Sequence, residues 1–90
     1  MGFQESVSTL RRELNNCIDD FGSPTDRCLS IRVSGDSYAE QIEVVVDFHL
    51  DNWSVYSESD IRDDIRGTIR STCHQYGINY DITLRIRFVD

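Results

Sequence analysis

Two side chains capable of acid–base chemistry, Asp47 and His49, stand two positions apart in the sequence. Residues spaced by two share one face of an extended strand, so the carboxylate and the imidazole would project from the same surface. A general base needs a substrate pocket and usually a nucleophile within hydrogen-bonding reach, and no serine or cysteine directly adjoins this pair. We therefore interpret the two residues as part of a polar strand surface rather than an active site.

The three cysteines, Cys17, Cys28 and Cys73, are separated by 11 and 45 positions. These spacings fit neither a disulfide framework nor a C-x-x-C metal or redox site, and the number of cysteines is odd. Cys73 precedes His74, but adjacent residues of a helix point about 100 degrees apart and cannot share a metal without a further ligand. We predict three free thiols that pack as small apolar side chains.

Asp60, Asp63 and Asp64 resemble half of a carboxylate cluster of the kind that holds a divalent cation. Arg62 and Arg66 are interleaved with them at helical spacing, which favours a solvated, ion-paired helix surface over a metal site. The chain has no glycine-rich nucleotide loop, HExxH or EF-hand motif, and it has no lysine for Schiff-base chemistry. We predict that the protein is not an enzyme and needs no cofactor. A divalent metal stays possible, with ligands that the sequence does not identify.

The composition limits the remaining functions. Ninety residues correspond to a single domain, residues 1–90. Sixteen acidic and nine basic residues leave a net charge of -7, which opposes approach to a phosphate backbone and argues against direct nucleic-acid binding. The chain has no run of about 18 apolar residues and no signal-peptide pattern, so we predict a cytoplasmic protein without membrane insertion.

The segment from Phe3 to Phe21 has apolar residues at steps of three and four, which predicts one amphipathic helix. Gly22 and Pro24 follow directly. A glycine favours the left-handed conformation that ends a helix, and a proline prevents the helix from resuming. The predicted buried stripe consists of Phe3, Val7, Leu10, Leu14, Cys17, Ile18 and Phe21.

Two segments, Cys28–Ser34 and Gln41–Asp51, alternate apolar and polar residues and are predicted to be half-buried strands. Turn-forming residues from Ser34 to Ser37 lie between them, so the strands should form a hairpin with a loop of about six residues. The side chains predicted to face inward are Leu29, Ile31, Val33, Ile42, Val44, Val46, Phe48 and Leu50.

A second helix is predicted from Ser57 to about Tyr76. Ser57 and Asp60 form a capping-box pattern at its start, and Gly77 can end it. The last strand is predicted over Tyr80–Asp90. Its inward side chains would be Tyr80, Ile82, Leu84, Ile86 and Phe88.

The order αββαβ predicts an α+β fold, a two-layer sandwich of ferredoxin-like type. Its three-stranded mixed sheet would have the order 1-2-3, because the β-helix-β crossover returns parallel to the longest strand. With both helices on one face, the other face of the sheet would be open. The residues predicted for this open face are Arg32, Glu43, Val45, Asp47, His49, Arg85 and Arg87. Either they pair across strands as opposite charges or they form a contact surface.

Charge is concentrated between Asp36 and Asp64, where nine acidic residues and one arginine give a local charge of -8. Trp53 and Tyr56 lie inside this segment. An aromatic side chain among carboxylates suits an interface anchor, and it could equally plug the end of the core. The residues predicted to bind a partner are Asp36, Glu40, Asp51, Trp53, Tyr56, Glu58, Asp60, Asp63 and Asp64.

Three segments, Leu29 to Gly35, Val44 to Asp47 and Ile82 to Ile86, together with the order αββαβ, resemble the C-terminal cytoplasmic domain of cation diffusion facilitator transporters. This resemblance covers nearly the whole chain and implies a ferredoxin-like domain that dimerises and often binds zinc or a related cation. That family's usual histidine followed by an acid is replaced here by Arg87-Phe88-Val89-Asp90, so no metal ligand carries over. Glu58 to Ile78 is similar to the C-terminal α/β region of small-conductance mechanosensitive channels.

These patterns favour a non-catalytic protein-interaction and dimerisation domain, with divalent-metal binding as a possible addition. Its partners would be a second copy of the chain and a basic protein. The alternative is a stand-alone acidic inhibitor or immunity-type protein, which would imitate a polyanion and block a nucleic-acid-binding enzyme.

Overall fold

The computed structural model describes residues 1–89. The helices and strands follow the order αββαβ, which confirms the predicted fold class. The helices are α1, Phe3–Asn16, and α2, Glu58–Tyr76. The strands are β1, Arg27–Asp36, β2, Gln41–His49, and β3, Asp81–Phe88. They form one α+β sandwich of ferredoxin-like type, in which two helices cover one face of a three-stranded mixed sheet.

The sheet has the predicted order β1-β2-β3. β1 and β2 pair antiparallel, and β3 returns parallel to β2 after the α2 crossover. Val44, in the middle of β2, lies opposite Val33 on one side and Leu84 on the other, so the inner side chains of all three strands form one apolar layer. This register places the charged residues of the strands on the opposite face.

The helices cover the three strands unequally. The inner side chains of β2, such as Val44 and Phe48, are fully buried beneath Leu10, Leu14 and Ile65. The inner side chains of β3 are only half-buried. The helix layer therefore sits mainly over β1 and β2, and it leaves the apolar side of β3 partly uncovered.

The predicted boundaries of α2 are confirmed by its caps. The Asp60 backbone amide donates to Ser57 Oγ at 3.1 Å, and the Ser57 amide donates to Asp60 Oδ2 at 2.8 Å, which completes the capping box. Gly77 ends the helix in the left-handed conformation, with φ 67°. Among residues 1–89, no helix combines the length and the apolar composition that a membrane span requires.

α1 is shorter than predicted and ends at Asn16 instead of Phe21. The Asn15 side chain donates to the carbonyl oxygens of Arg11 at 2.8 Å and Ile31 at 3.3 Å, and such side-chain bonds compete with helix continuation. A short 3-10 helix, Ile18–Asp20, follows. Phe21 is still buried in the core, as its place in the apolar stripe predicted.

The first hairpin also differs from the prediction. β1 extends to Asp36, so the connecting loop has four residues, 37–40. Gly35, predicted as a turn residue, lies within β1 under α1, and an added Cβ would be 2.7 Å from the Phe3 ring and from Val7 Cγ2. Close packing of the helix, and not a turn, accounts for this glycine.

The inward position predicted for Leu29 is wrong. A register shift between Cys28 and Ser30 leaves Leu29 without a cross-strand partner, and its side chain is 49% exposed. β2 ends at His49 and β3 at Phe88, each before the predicted boundary. The predicted end of the last strand, Asp90, lies outside the described residues.

Two glycine-to-alanine substitutions should have opposite effects on stability. Gly35→Ala forces Phe3 and Val7 to shift and should lower the free energy of unfolding by about 1–3 kcal/mol. Gly67→Ala, in an exposed helix interior where the new methyl group meets nothing within 4 Å beyond the adjacent backbone of its own helix, should raise it by about 0.5–1 kcal/mol. Urea denaturation followed by circular dichroism measures both. If both substitutions changed the free energy of unfolding in the same direction, the result would contradict the close packing of α1 on Gly35.

Candidate functional site

Asp47 is the centre of the open sheet face. The Arg87 guanidinium binds it in a bidentate manner, with Nε 2.6 Å from Oδ1 and Nη2 3.0 Å from Oδ2. Ser30 Oγ donates to Oδ2 at 3.1 Å, and Arg32 lies 3.7 Å away on the other side. The hydrogen bonds from Arg87 are the main reason that the pKa of Asp47 lies below its ordinary value, and the same contact raises the pKa of Arg87.

The rest of the open face is paired in the same way. Arg85 lies 3.7 Å from Glu43, and Val45 sits in register between Arg32 and Arg85. His49 Nδ1 lies 3.1 Å from the Val89 carbonyl oxygen, and within residues 1–89 it has no hydrogen bond to Asp47. Cross-strand pairing of opposite charges, one of the two predicted interpretations, is thus observed. The predicted neighbours Asp47 and His49 share a face but do not form an acid–base pair.

The structure divides the predicted partner-binding residues between two ends of the molecule. Asp36 ends β1 and Glu40 is the last residue of the hairpin loop, in which Asp36 Oδ1 accepts the backbone amides of Tyr38 at 3.0 Å and Ala39 at 3.2 Å. The other members follow β2 at its far end, about 27 Å away for nine residues of strand. These are Asp51, Trp53, Tyr56, Glu58, Asp60, Asp63 and Asp64. The predicted set is therefore split between opposite ends of β2.

The connection between β2 and α2, residues 51–57, is called the aromatic loop here. Trp53 is 88% exposed, Val55 is 84% exposed and Tyr56 is 44% exposed. The interpretation of Trp53 as a plug for the end of the core is therefore wrong, and the interface-anchor interpretation stays a prediction. Asp60, predicted as a partner contact, also completes the α2 capping box, so it is needed for the start of the helix.

A buried carboxylate, Asp26, holds the aromatic loop in place. Its Oδ1 accepts the backbone amide of Asp51 at 2.8 Å. Its Oδ2 accepts the amide of Ser23 at 2.8 Å and the hydroxyls of Ser23 at 2.8 Å and Ser54 at 2.6 Å. Ser54 Oγ in turn accepts the Tyr56 amide at 3.1 Å. The loop that carries Trp53 is therefore fixed at both ends by hydrogen bonds.

The electrostatics of Asp26 follow from this network. Burial by itself would raise the pKa of the carboxyl, but the hydrogen bonds from Ser54, Ser23 and Asp51 outweigh burial and lower the pKa to about 2. The carboxylate is ionised at neutral pH, when it accepts all four bonds. Sequence reasoning missed Asp26, because nothing in Ser-Pro-Thr-Asp before a strand indicates that the aspartate is buried or that it reaches a loop 25 positions later.

The three cysteines are free thiols and partly buried. Burial is the main cause that raises the pKa of each, and the pKa of Cys28 reaches about 11. A thiol with a raised pKa is protonated at neutral pH and is a poor nucleophile or metal ligand. This agrees with their interpretation as packing residues.

A groove of about 330 Å³, the β3 groove, lies between α2 and β3. Its walls are Ile69, Cys73, Ile78, Tyr80, Ile82 and Leu84, and Arg66 and Arg70 line it from α2. The sequence did not predict it, because a period-two pattern shows which side of a strand is apolar but not how far the helices cover that side.

Over the part of the chain that the structure describes, no group of three or more histidine, cysteine, aspartate or glutamate side chains could hold a metal ion. In comparisons with known proteins, no family model, curated protein or solved structure matches the chain. The functional proposal below therefore depends on the geometry of these surfaces.

Proposed function

We propose that the chain is a non-catalytic protein-interaction domain that binds a basic protein through the aromatic loop and the acidic start of α2. The observation that supports this proposal is Trp53, which is 88% exposed on a loop that hydrogen bonds hold in one conformation. A tryptophan at the surface exposes a large apolar area to water, and its burial by a partner would contribute strongly to affinity.

The fixed backbone of the loop supports the same conclusion. A side chain on a pre-ordered loop loses little conformational entropy when it is buried, so more of the contact energy appears as affinity. Carboxylates flank the aromatic residues along the chain, since Asp51 precedes them and Glu58 and Asp64 follow in the first two turns of α2. Such a field accelerates the approach of a positively charged partner and disfavours an anionic one.

The groups that could have served catalysis have other roles. Asp47 is neutralised by Arg87, His49 binds a backbone carbonyl, and the thiols have raised pKa values. The proposal places the chain in the cytoplasm, where three unpaired thiols are stable. It also includes self-association, which would cover the uncovered side of β3.

The alternative function, an acidic inhibitor that imitates a polyanion, needs a continuous row of free carboxylates. Two of the nine acids in the 36–64 segment, Asp36 and Glu40, lie at the far end of the sheet. Two more, Glu43 and Asp47, are paired with arginines. This distribution favours a mixed aromatic and acidic contact over polyanion mimicry.

Partner capture tests the proposal. The immobilised chain should enrich a basic protein from the source lysate, and Trp53→Ala should reduce that enrichment by about 30-fold, the effect of losing an aromatic hot spot worth roughly 2 kcal/mol. Tyr38→Ala is the matched control, because Tyr38 is 100% exposed at the hairpin end and should not contribute. Quantitative mass spectrometry of the captured fraction measures both effects.

Charge-reversal variants separate the electrostatic contribution to partner binding from effects on the fold. Asp64→Arg should weaken capture and flatten its salt dependence, whereas Glu40→Arg, at the hairpin end, should not. Asp60 is unsuitable for this purpose because it caps α2. The proposal fails if Tyr38→Ala and Glu40→Arg weaken capture as much as the loop variants do. It also fails if calorimetry shows a stoichiometric zinc or manganese site that Asp64→Arg abolishes, which would support the divalent-metal prediction instead.

A further inference from the structure

The two edges of the sheet differ in how their backbone groups are satisfied. At the β1 edge, the Arg11 guanidinium donates to the Val33 carbonyl oxygen at 2.6 Å and 3.2 Å. The Asn15 side chain donates to the Ile31 carbonyl at 3.3 Å. α1 therefore covers this edge and prevents further strand pairing there.

The β3 edge has no such cover. The Val89 amide donates to the Phe48 carbonyl of β2 at 2.9 Å, so the odd-numbered residues of β3 direct their backbone groups toward β2. The backbone groups of Ile82, Leu84 and Ile86 then point outward, and no other group within residues 1–89 hydrogen-bonds to them. Eight residues of strand are thus available for pairing.

The side chains beside this edge are incompletely buried. Ile82, Leu84 and Ile86 are half-buried because α2 does not extend over them, and the β3 groove lies next to them. An edge with free backbone groups and an adjoining apolar strip satisfies both requirements for strand addition, hydrogen bonding and apolar burial.

We propose that a second copy of the chain pairs with this edge, β3 against β3 in antiparallel orientation, about a twofold axis at Leu84. The two sheets would then form one continuous six-stranded sheet, with both β3 grooves on the same side of it. In this arrangement Ile82 of each copy lies opposite Ile86 of the other, and the two Leu84 side chains meet at the axis.

Charges on the open face select this register. With Leu84 opposite itself, Arg87 of each copy lies opposite Asp81 of the other, and Arg85 lies opposite Thr83. A shift of the axis to Arg85 would place two arginines directly opposite each other, which is destabilising in a sheet. A shift to Thr83 would shorten the paired segment of β3 from seven residues to five within its 81–88 range.

The distribution of charge along α2 also fits a twofold arrangement. Arg70 lines the β3 groove, and Asp63, seven residues earlier, lies on the same line of the helix. Asp63 belongs to the acidic first half of α2, whereas Arg70 makes the second half basic and has no ion pair within residues 1–89. A twofold axis sets the two helices antiparallel, so the acidic half of each faces the basic half of the other. Such self-complementarity is characteristic of a twofold interface.

This surface is separate from the aromatic loop. The dimer can therefore be absent while the loop still binds a partner, and the dimer can form while the loop binds none. Sedimentation equilibrium of the full chain at high micromolar concentration should give twice the chain mass of 10.4 kDa. Leu84→Asp should return the mass to that of one chain. Leu29→Asp should leave the dimer intact, because Leu29 is a leucine on β1, at the opposite edge, with its side chain 49% exposed. Circular dichroism confirms that both variants are folded.

Cysteine cross-linking reports the register independently of Leu84. Thr83 of one copy and Arg85 of the other would form a non-hydrogen-bonded pair, with Cα atoms about 4.5 Å apart, within reach of a disulfide. A mixture of Thr83→Cys and Arg85→Cys chains should give a mixed disulfide on mild oxidation, identified by peptide mass spectrometry. Each variant alone should give none between these positions.

Three results would overturn the proposal. One is a wild-type mass of 10.4 kDa at high micromolar concentration. Another is a disulfide within Thr83→Cys alone or within Arg85→Cys alone, which would indicate a shifted register. The third is a monomer in which a synthetic peptide of alternating valine and glutamate protects the Ile82, Leu84 and Ile86 amides from hydrogen exchange. That outcome would assign the edge to an acidic strand of another protein.

Discussion

Asp26→Asn is expected to lower the free energy of unfolding by about 2–3 kcal/mol at neutral pH, the effect of weakening several hydrogen bonds to one buried charged acceptor. An amide has one acceptor oxygen, so it cannot accept both the Asp51 amide on one side and the Ser23 amide on the other. Urea denaturation followed by far-ultraviolet circular dichroism measures the effect. Trp53 fluorescence would be a poor probe, because that side chain is already 88% exposed in the folded chain.

The same substitution should change the dependence of stability on pH. The pKa of Asp26 is lowered on folding from 3.8 to about 2, so the carboxylate stabilises the folded chain fully above the unfolded value. That contribution is lost as the pH falls from about 4 towards 2. The difference in stability between wild type and Asp26→Asn should therefore be constant above about pH 5 and should shrink at lower pH.

Asp19→Asn is the control for this experiment, since Asp19 is exposed and its substitution should change stability by less than about 0.5 kcal/mol at any pH. A difference between wild type and Asp26→Asn that stays constant down to pH 2 would show that the Asp26 carboxylate is not the titrating group. Loss of partner capture by Asp26→Asn, with the helices intact, would link the loop conformation to binding.

The second large effect is expected for Phe48→Ala, which should lower the free energy of unfolding by about 3–5 kcal/mol. The Phe48 ring is fully buried in the core near the end of β2 and packs edge-on against Phe88, with ring centroids 6.1 Å apart. Removing it leaves a cavity between the sheet and the helices, because the surrounding strands cannot close over it. Urea denaturation at low micromolar concentration measures the change.

Phe88→Ala is the matched control, because the two rings share the same contact but differ in burial. Phe88 is half-buried on β3, so its truncation should cost clearly less than that of Phe48. Equal costs in the monomer would contradict the incomplete cover of β3 by the helices. At concentrations where the proposed dimer forms, the cost for Phe88→Ala should rise relative to that for Phe48→Ala.

The amino-acid sequence was sufficient to predict the elements and their order. Apolar spacing identified both helices and all three strands, and the Ser57, Asp60 and Gly77 caps located the ends of α2 to within one residue. The crossover rule then gave the strand order. These features depend on a few neighbouring residues, since propensity, capping and periodicity act over one or two turns of chain.

Only the tertiary structure determined which residues lie together on each surface of the protein. Asp26 reaches a loop 25 positions away, Gly35 is small because Phe3 and Val7 pack on it, and the acidic segment divides between two ends of the sheet. The open edge of β3 likewise results from where α1 and α2 lie over the sheet. Each of these depends on contacts between residues distant in sequence, and such contacts leave no local pattern, because they are determined by how the layers pack and not by the preference of any one segment.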